Sequence, residues 1–233
     1  MVYTSEHPIF SVTADAVAFS LQGAELSVLL VERGRPPFQG RWALPGGFVD
    51  EREDLDAAAR RELGEETGLD VTDLPVRQLG AYGAPDRDPR GRVVSVAHVL
   101  VVPPGATPVA ADDAADARWR PVEEVRGGGV LAFDHATILA DALSWLDRRL
   151  EQTDVAAEFL PEEFTVAELR EVYEVVWGRS LDPGNFQRKV TGVEGFLAES
   201  GRRPARGRGR PATLYRRGDA GALWPSLSRE RDQ

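Results

Sequence analysis

Two apolar runs rich in β-branched residues, 9–21 and 25–32, flank Gln22-Gly23-Ala24. That alternation of runs and break predicts a β-hairpin. Residues 33–40 read as a loop carrying Pro36 and Pro37, and Trp42-Ala43-Leu44 as a short strand ended by Gly46-Gly47. From Leu55 to Thr67 there is no proline, and the periodicity is helical; Asp54 suits the N-cap and Gly68 the position just past the end. Residues 93–102 form a strong strand pattern, 117–121 a weaker one, and 134–150 a long amphipathic helix that closes a first domain over residues 1–150.

The pattern then changes. Residues 151–160 are polar and read as a linker or as a continuation of the helix. Beyond Thr165, an N-cap, Leu169, Val172, Tyr173 and Val176 mark one face of a helix. Gly178 and Ser180 mark a turn, residues 185–190 a second short helix, and residues 196–197 and 213–215 short strands. Residues 201–211 between those strands are Gly-, Arg- and Pro-rich and cannot pack a core. Helix, turn, helix and two strands around a basic loop predict a winged helix over residues 161–233. The whole chain therefore reads as an α+β protein of two domains.

Charge sharpens this division. The chain of 233 residues carries a formal net charge of −10, which excludes a protein that coats nucleic acid uniformly. Within 188–217, however, nine basic residues (Arg188, Lys189, Arg202, Arg203, Arg206, Arg208, Arg210, Arg216 and Arg217) face only Glu194 and Glu199. Such asymmetry points to different partners for the two domains. There is no cysteine, which removes disulfide and thiol chemistry. No apolar run is long enough to span a bilayer, and the first residues lack the pattern of a signal peptide. A cytoplasmic protein without a membrane partner is the expectation.

On the 55–67 helix, at about 100° per residue, Leu55, Ala59 and Leu63 define the inward face. Glu62 and Glu66 fall within or beside that arc and Glu65 at its edge. Inward carboxylates are costly unless paired or bound to metal, and a hard divalent cation prefers such oxygen ligands. The spacing is also distinctive. Gly47 is followed after five residues by Glu53, and after seven more by Arg61-Glu62-Leu63, then Glu65-Glu66 and Gly68-Leu69. This is the complete Nudix box, and residues 9–150 resemble the Nudix hydrolase family.

The resemblance implies a Nudix fold, a mixed sheet sandwiched by helices, and water attack on a diphosphate linked to another moiety. It implies Glu62 and Glu66 as principal ligands of Mg²⁺ or Mn²⁺. Glu65 would be a further ligand or would orient water, and a backbone carbonyl of Gly46 or Gly47 would complete the shell. Glu53 and Arg61 would pair to fix the loop and helix. The general base is left open between a box glutamate and an acid of residues 110–116.

Residues 84–92, with Arg87, Asp88 and Arg90, read either as a charged turn or as a loop over the site that meets phosphate or ribose. Together with Arg41, Trp42 and Gly47 they look like the ADP-ribose-directed branch of the family. Trp42 is either core or an adenine-stacking platform. Phe133-Asp134-His135 is similar to the stretch that opens the last helix in that branch. His135 reads first as a structural residue of the helix start.

The run Asp182, Asn185-Phe186, Arg188-Lys189 with residues 209–215 looks like the C-terminal winged helix of the Nudix-related transcriptional regulators, the NrtR family. That resemblance implies an ADP-ribose-responsive, DNA-binding regulator of NAD-related metabolism that forms a homodimer on a double-stranded operator. Asn185, Gln187 and Arg188 have side chains able to read base edges. Lys189, Arg202, Arg203, Arg206, Arg208 and Arg210 suit phosphates or a minor groove. Many regulators of that family have altered box glutamates, whereas here each is present. The alternative is a metabolic ADP-ribose pyrophosphatase whose C-terminal domain serves dimerisation.

Overall fold

Strand β1 (Ser11–Gln22) is buried without interruption from Thr13 to Ser20, and β6 (Val93–Val101) is buried at every position but Val94. Continuous burial of this kind marks strands covered on both faces, which is why they show no alternation in the sequence. The structure is a computed structural model describing residues 7–111, 114–127, 129–201 and 212–228. It divides into two compact units, one comprising residues up to Phe19, Ser27–Leu100 and Ala106–Ala142, the other Ser20–Leu26, Val101–Gly105 and the chain from Leu143.

In the first unit a seven-stranded sheet runs in the order β3 (Trp42–Ala43), β2 (Glu25–Arg33), β1, β6 and β5 (Arg77–Tyr82). Strand β4 (Gly46–Phe48) pairs with β1, and β7 (Ala114–Pro121) with β2. Register matters most at β4, where Asp15 opposes Gly46, Ala14 opposes Gly47 and Thr13 opposes Phe48. Helix α1 (Leu55–Thr67) packs against β4. Its N-cap Asp54 accepts from the Leu55 N–H, and Gly68 closes it in the left-handed conformation with φ of 67°. Its buried face is Ala58, Ala59, Leu63 and Thr67, one position round from the face read with Leu55. Helix α2 (Val122–Val125) is a single turn, and α3 (His135–Gln152) extends two residues past the predicted end.

The winged-helix region contains α4 (Val166–Trp177), α5 (Pro183–Gly192) and a three-stranded sheet in the order β8 (Phe164–Thr165), β10 (Leu214–Arg217), β9 (Leu197–Glu199). Thr165 and Glu168 form a reciprocal capping box at the start of α4. Asp182 caps α5, which begins two residues earlier than predicted because Pro183 fits the first helical turn. Trp177 takes the core place read for Val176 and packs edge-to-face on Tyr173 at 5.0 Å, while Phe186 of α5 meets Tyr173 at 5.3 Å.

The expected linker, residues 151–160, is a packed segment. Glu151 and Gln152 end α3, and Val155–Phe159 form a 3-10 helix whose five residues are buried. Its acids have partners. Arg217 lies 2.8 Å from Asp154 and 3.3 Å from Glu158. Residues 219–228 return along the same region, with Leu223 N–H donating to Gln152 O and Leu227 N–H to Glu151 O. Among the described residues no helix is long and apolar enough to cross a membrane.

Candidate functional site

The carboxylates of α1 part company on the folded helix. Glu62 and Glu66 line a cavity of about 420 Å³ together with Asp15, Gly46, Gly47, Arg61 and His135. Glu65 does not. Its side chain is half exposed and is held 3.0 Å from Arg61 Nη1. Glu65, read as a further ligand or as a residue that orients water, stands outside this lining, and the arc edge on which it sits turns towards solvent. Arg61 gathers the box. It donates to Glu53 twice at 2.8 Å, to Glu62 at 2.8 Å and to Phe48 O at 3.1 Å. The hydrogen bond from Arg61 holds the Glu53 carboxyl below its ordinary range.

The glycines permit close approach. A Cβ on Gly47 would collide with the Glu62 carboxylate, and one on Gly46 would meet Ala14 O at 2.5 Å. Gly46 engages Glu66 through its N–H, which donates to Oε2 at 3.0 Å. This contact uses the amide of Gly46 and leaves the carbonyl read for the metal shell out of it. Burial raises the Glu66 pKa to about 8, opposed by the Gly46 N–H and reinforced by the charges of Glu62 and Asp15. Burial likewise raises Glu62, offset by Arg61.

As placed, no group of three or more His, Cys, Asp or Glu among the described residues stands at metal-binding separation. The chemistry of the donor set nonetheless fits a hard divalent cation. Glu62, Glu66 and Asp15 line one cavity, and each negative charge disfavours ionisation of Glu66. A cation with oxygen affinity relieves that repulsion.

Sequence reasoning missed Asp15 and Ser95 behind this face, and the contacts that join them to Arg87, Asp134 and His135 from far apart along the chain. Arg87, with a side chain only 3% exposed, binds Asp134 through two hydrogen bonds of 3.0 and 2.7 Å and lies 3.7 Å from Asp15. Asp15 also accepts from Ser95 Oγ. His135 Nδ1 accepts from the Leu44 N–H at 2.9 Å, so the neutral ring carries its proton on Nε2, which faces Asp15 at 3.8 Å. Burial lowers the His135 pKa and favours that neutral form. Only the Asp-His pairing at 134–135 was visible as a motif; Asp15 gave no signal inside an apolar run.

The candidate ligand contacts separate in the same way. Arg87, Asp88, Arg90 and Gly47 line the cavity, but Arg87 is spent on Asp134, and Asp88 is held by Arg90 at 2.7 Å. Arg41 and Trp42 lie outside the lining. Arg41 donates to Leu131 O at 3.4 Å, and Trp42 pairs with Glu32 in the sheet under the Arg120 guanidinium. Of the 110–116 acids, Asp116 pairs with Arg118 at 2.6 Å, and residues 112–113 lie outside the described residues.

On α5, Asn185, Gln187 and Arg188 are exposed, Lys189 is half-buried, and Phe186 and Val190 face the core. Arg188 donates to Asn185 Oδ1. Arg202, Arg203, Arg206, Arg208 and Arg210 lie outside the described residues. Arg216 and Arg217 are engaged internally, Arg216 with Glu163 at 2.7 Å. Among the described residues of this region, the exposed positive charge away from carboxylate partners is therefore that of α5 rather than of β10.

Comparison with known proteins gives the same division. Residues 10–146 match the NUDIX domain family, and residues 156–217 match the NrtR DNA-binding winged helix domain. The ADPR responsive transcriptional repressor NtrR of Acinetobacter baylyi is 34% identical over 214 residues, 91% of this chain and 84% of that protein. The crystal structure of Shewanella oneidensis NrtR complexed with a 27mer DNA superposes with a TM-score of 0.80 at 32% identity, covering 93% of this chain and 99% of that one. The NUDIX domain of the same Shewanella protein, in complex with ADP ribose, is similar over 60% of this chain and 90% of its own length, with a TM-score of 0.55 and 34% identity. A complete Nudix box on the observed sheet, followed by a capped helix pair and a three-stranded wing, places this chain in the NrtR family of Nudix-related transcriptional regulators.

Proposed function

We propose that this chain is an ADP-ribose-responsive transcriptional regulator whose Nudix cavity senses the ligand and whose α5 reads operator DNA. The observation that carries this reading is the pairing, in one chain, of a carboxylate-lined cavity with an exposed Asn-Gln-Arg face on a capped helix. The relatives named above bind DNA and ADP ribose or respond to it. The regulated genes belong to NAD-related metabolism. The operator is palindromic and the protein binds it as a homodimer, because a two-fold site requires two recognition helices. A regulator acting on operator DNA works in the compartment that holds it, which for the bacterial relatives is the cytoplasm.

Within the cavity Glu62 and Glu66 would hold Mg²⁺ or Mn²⁺, which supplies charge neutralisation for phosphate oxygens and lowers the pKa of bound water. Arg61 holds Glu62 in place and Gly46 orients Glu66. Arg87 and Asp134 fix the wall on which His135 keeps its Nε2 proton. Arg90 presents positive charge at the rim.

A second reading is favoured by the intact box. With Arg61, Glu62 and Glu66 assembled at one cavity and Glu53 holding Arg61, the chain also hydrolyses ADP-ribose, as sensor and enzyme together. Product analysis tests it: Mg²⁺-dependent release of AMP and ribose 5-phosphate is expected, lost in Glu66→Gln with the melting curve preserved. Unchanged ADP-ribose after prolonged incubation restricts the site to sensing. For the first reading, duplexes selected from a random library by the full chain are expected to share an inverted repeat. Selection of unrelated sequences sinks it.

A further inference from the structure

Among the described residues, Phe38 and Phe133 are the two non-glycine residues with left-handed backbone, at φ of 62° and 51°. Such a conformation costs on the order of 1–3 kcal/mol and persists where the surroundings enforce it, commonly at ligand sites. Here the two rings meet edge-to-face with centroids 4.8 Å apart. Arg33 sits 4.8 Å from the Phe133 centroid, held by its Nε–H donating to Pro37 O at 2.7 Å. Arg90 bridges to a further ring. Its guanidinium is 5.6 Å from the Phe133 centroid and 5.0 Å from that of Phe48, and the Asp88 carboxylate fixes it.

Phe48, Phe133, Arg33 and Arg90 all line the cavity that contains Glu62 and Glu66. Phe48 is 44% exposed, a large apolar ring left open beside charged groups. It directly follows Gly47, the residue against which the Glu62 carboxylate packs. A phosphate gains little from an open phenyl face, whereas a flat heterocycle stacks on one over its whole face, a larger contact than the C–H groups of a sugar make, and irrespective of its hydrogen-bonding edge. The geometry points to Phe48, braced by Arg90 and Phe133, as the nucleobase platform of this site, with the diphosphate lying towards Glu62 and Glu66. The role considered for Trp42 passes to Phe48. This inference rests on the ligand being a nucleoside diphosphate compound, as in the functional reading above.

Calorimetric titration of the full chain in Mg²⁺ tests it, with ADP-ribose and with inorganic pyrophosphate as a probe lacking a base. Phe48→Ala is expected to weaken ADP-ribose binding about 5- to 100-fold and to leave pyrophosphate binding unchanged. Phe48→Trp is expected to restore ADP-ribose affinity, and Phe48→Leu, which keeps the apolar bulk, is not. Equal ADP-ribose affinity in Phe48→Ala and the natural chain overturns the platform while leaving the ligand reading intact. A parallel loss of pyrophosphate binding also overturns it, since the effect is then not on the base. If the natural chain binds pyrophosphate but not ADP-ribose, the ligand reading itself fails and the platform falls with it.

Discussion

Glu66 carries the chemistry of the site at the scale of single residues. Its carboxyl is pushed up to about 8 chiefly by burial, against an ordinary value of 4.5. Folding thus binds a proton at any pH between those values, so the stability linked to Glu66 is fully present below 4.5 and is lost as pH rises through about 8. The metal-free protein is expected to melt at a lower temperature at pH 8.5 than at pH 5.5, by on the order of a few kcal/mol of stability. Glu66→Gln should flatten that slope, and Mg²⁺ should reduce it. Melting curves of both proteins across this range, with EDTA or Mg²⁺, check the expectation; identical slopes contradict it. The inward position of Glu62 and Glu66 was legible because helical angle and box spacing agree. Glu65, read at the edge of that arc, is half exposed, and the neighbour it meets there is Arg61. Asp15 was hidden in a run of buried strand residues, and only the fold brings it beside Arg87 and His135.

Elements were read best where local signals coincide. Helix α1 has its cap, its periodicity and its terminal glycine in sequence, and its bounds are those predicted. Strand β5 was missed because its alternation is broken by Gly80, where the register against β6 shifts. For residues 151–160 the choice between linker and helix continuation stayed open, because composition shows polar side chains but not the Arg217 that pairs with two of the acids. Two predictions belong at this scale. Arg87 joins the segment before β6 to the start of α3 through Asp134. Arg87→Ala leaves Asp15 and Asp134 uncompensated and should cost about 3–5 kcal/mol by urea denaturation, with Arg87→Met costing less. Equal losses in the two variants would contradict that difference and show that the lost charge, not side-chain volume, is what matters there. Asp182 accepts from the Asn185 N–H at 2.7 Å and starts α5. Asp182→Ala should cost about 1 kcal/mol and weaken DNA binding without changing ADP-ribose affinity. Titration of each ligand separately checks this, and loss of both binding activities would contradict it.

For the whole molecule, a net charge of −10 and a cluster of arginines on one domain look contradictory until the two domains are given different partners. An acidic chain binds DNA only through a focused contact, so its affinity should fall steeply with salt, by roughly 0.9 logarithmic units per phosphate contact per decade. The two-domain organisation was legible from the change of pattern after residue 150. The make-up of the cavity wall was not, since Phe48 lines it whereas Trp42, which pairs with Glu32 in the sheet, does not. The central claim is that occupancy of the Nudix cavity is reported to α5. Linkage requires that ligand and DNA alter one another's affinity by the same factor, about 5- to 150-fold for ordinary coupling energies. The most direct measurement is an anisotropy titration of the selected palindromic duplex with full-length protein in Mg²⁺, with and without saturating ADP-ribose. The account predicts a DNA Kd that rises at least about 5-fold when ADP-ribose is present; an unchanged Kd, with ADP-ribose shown to be bound and intact, would contradict it.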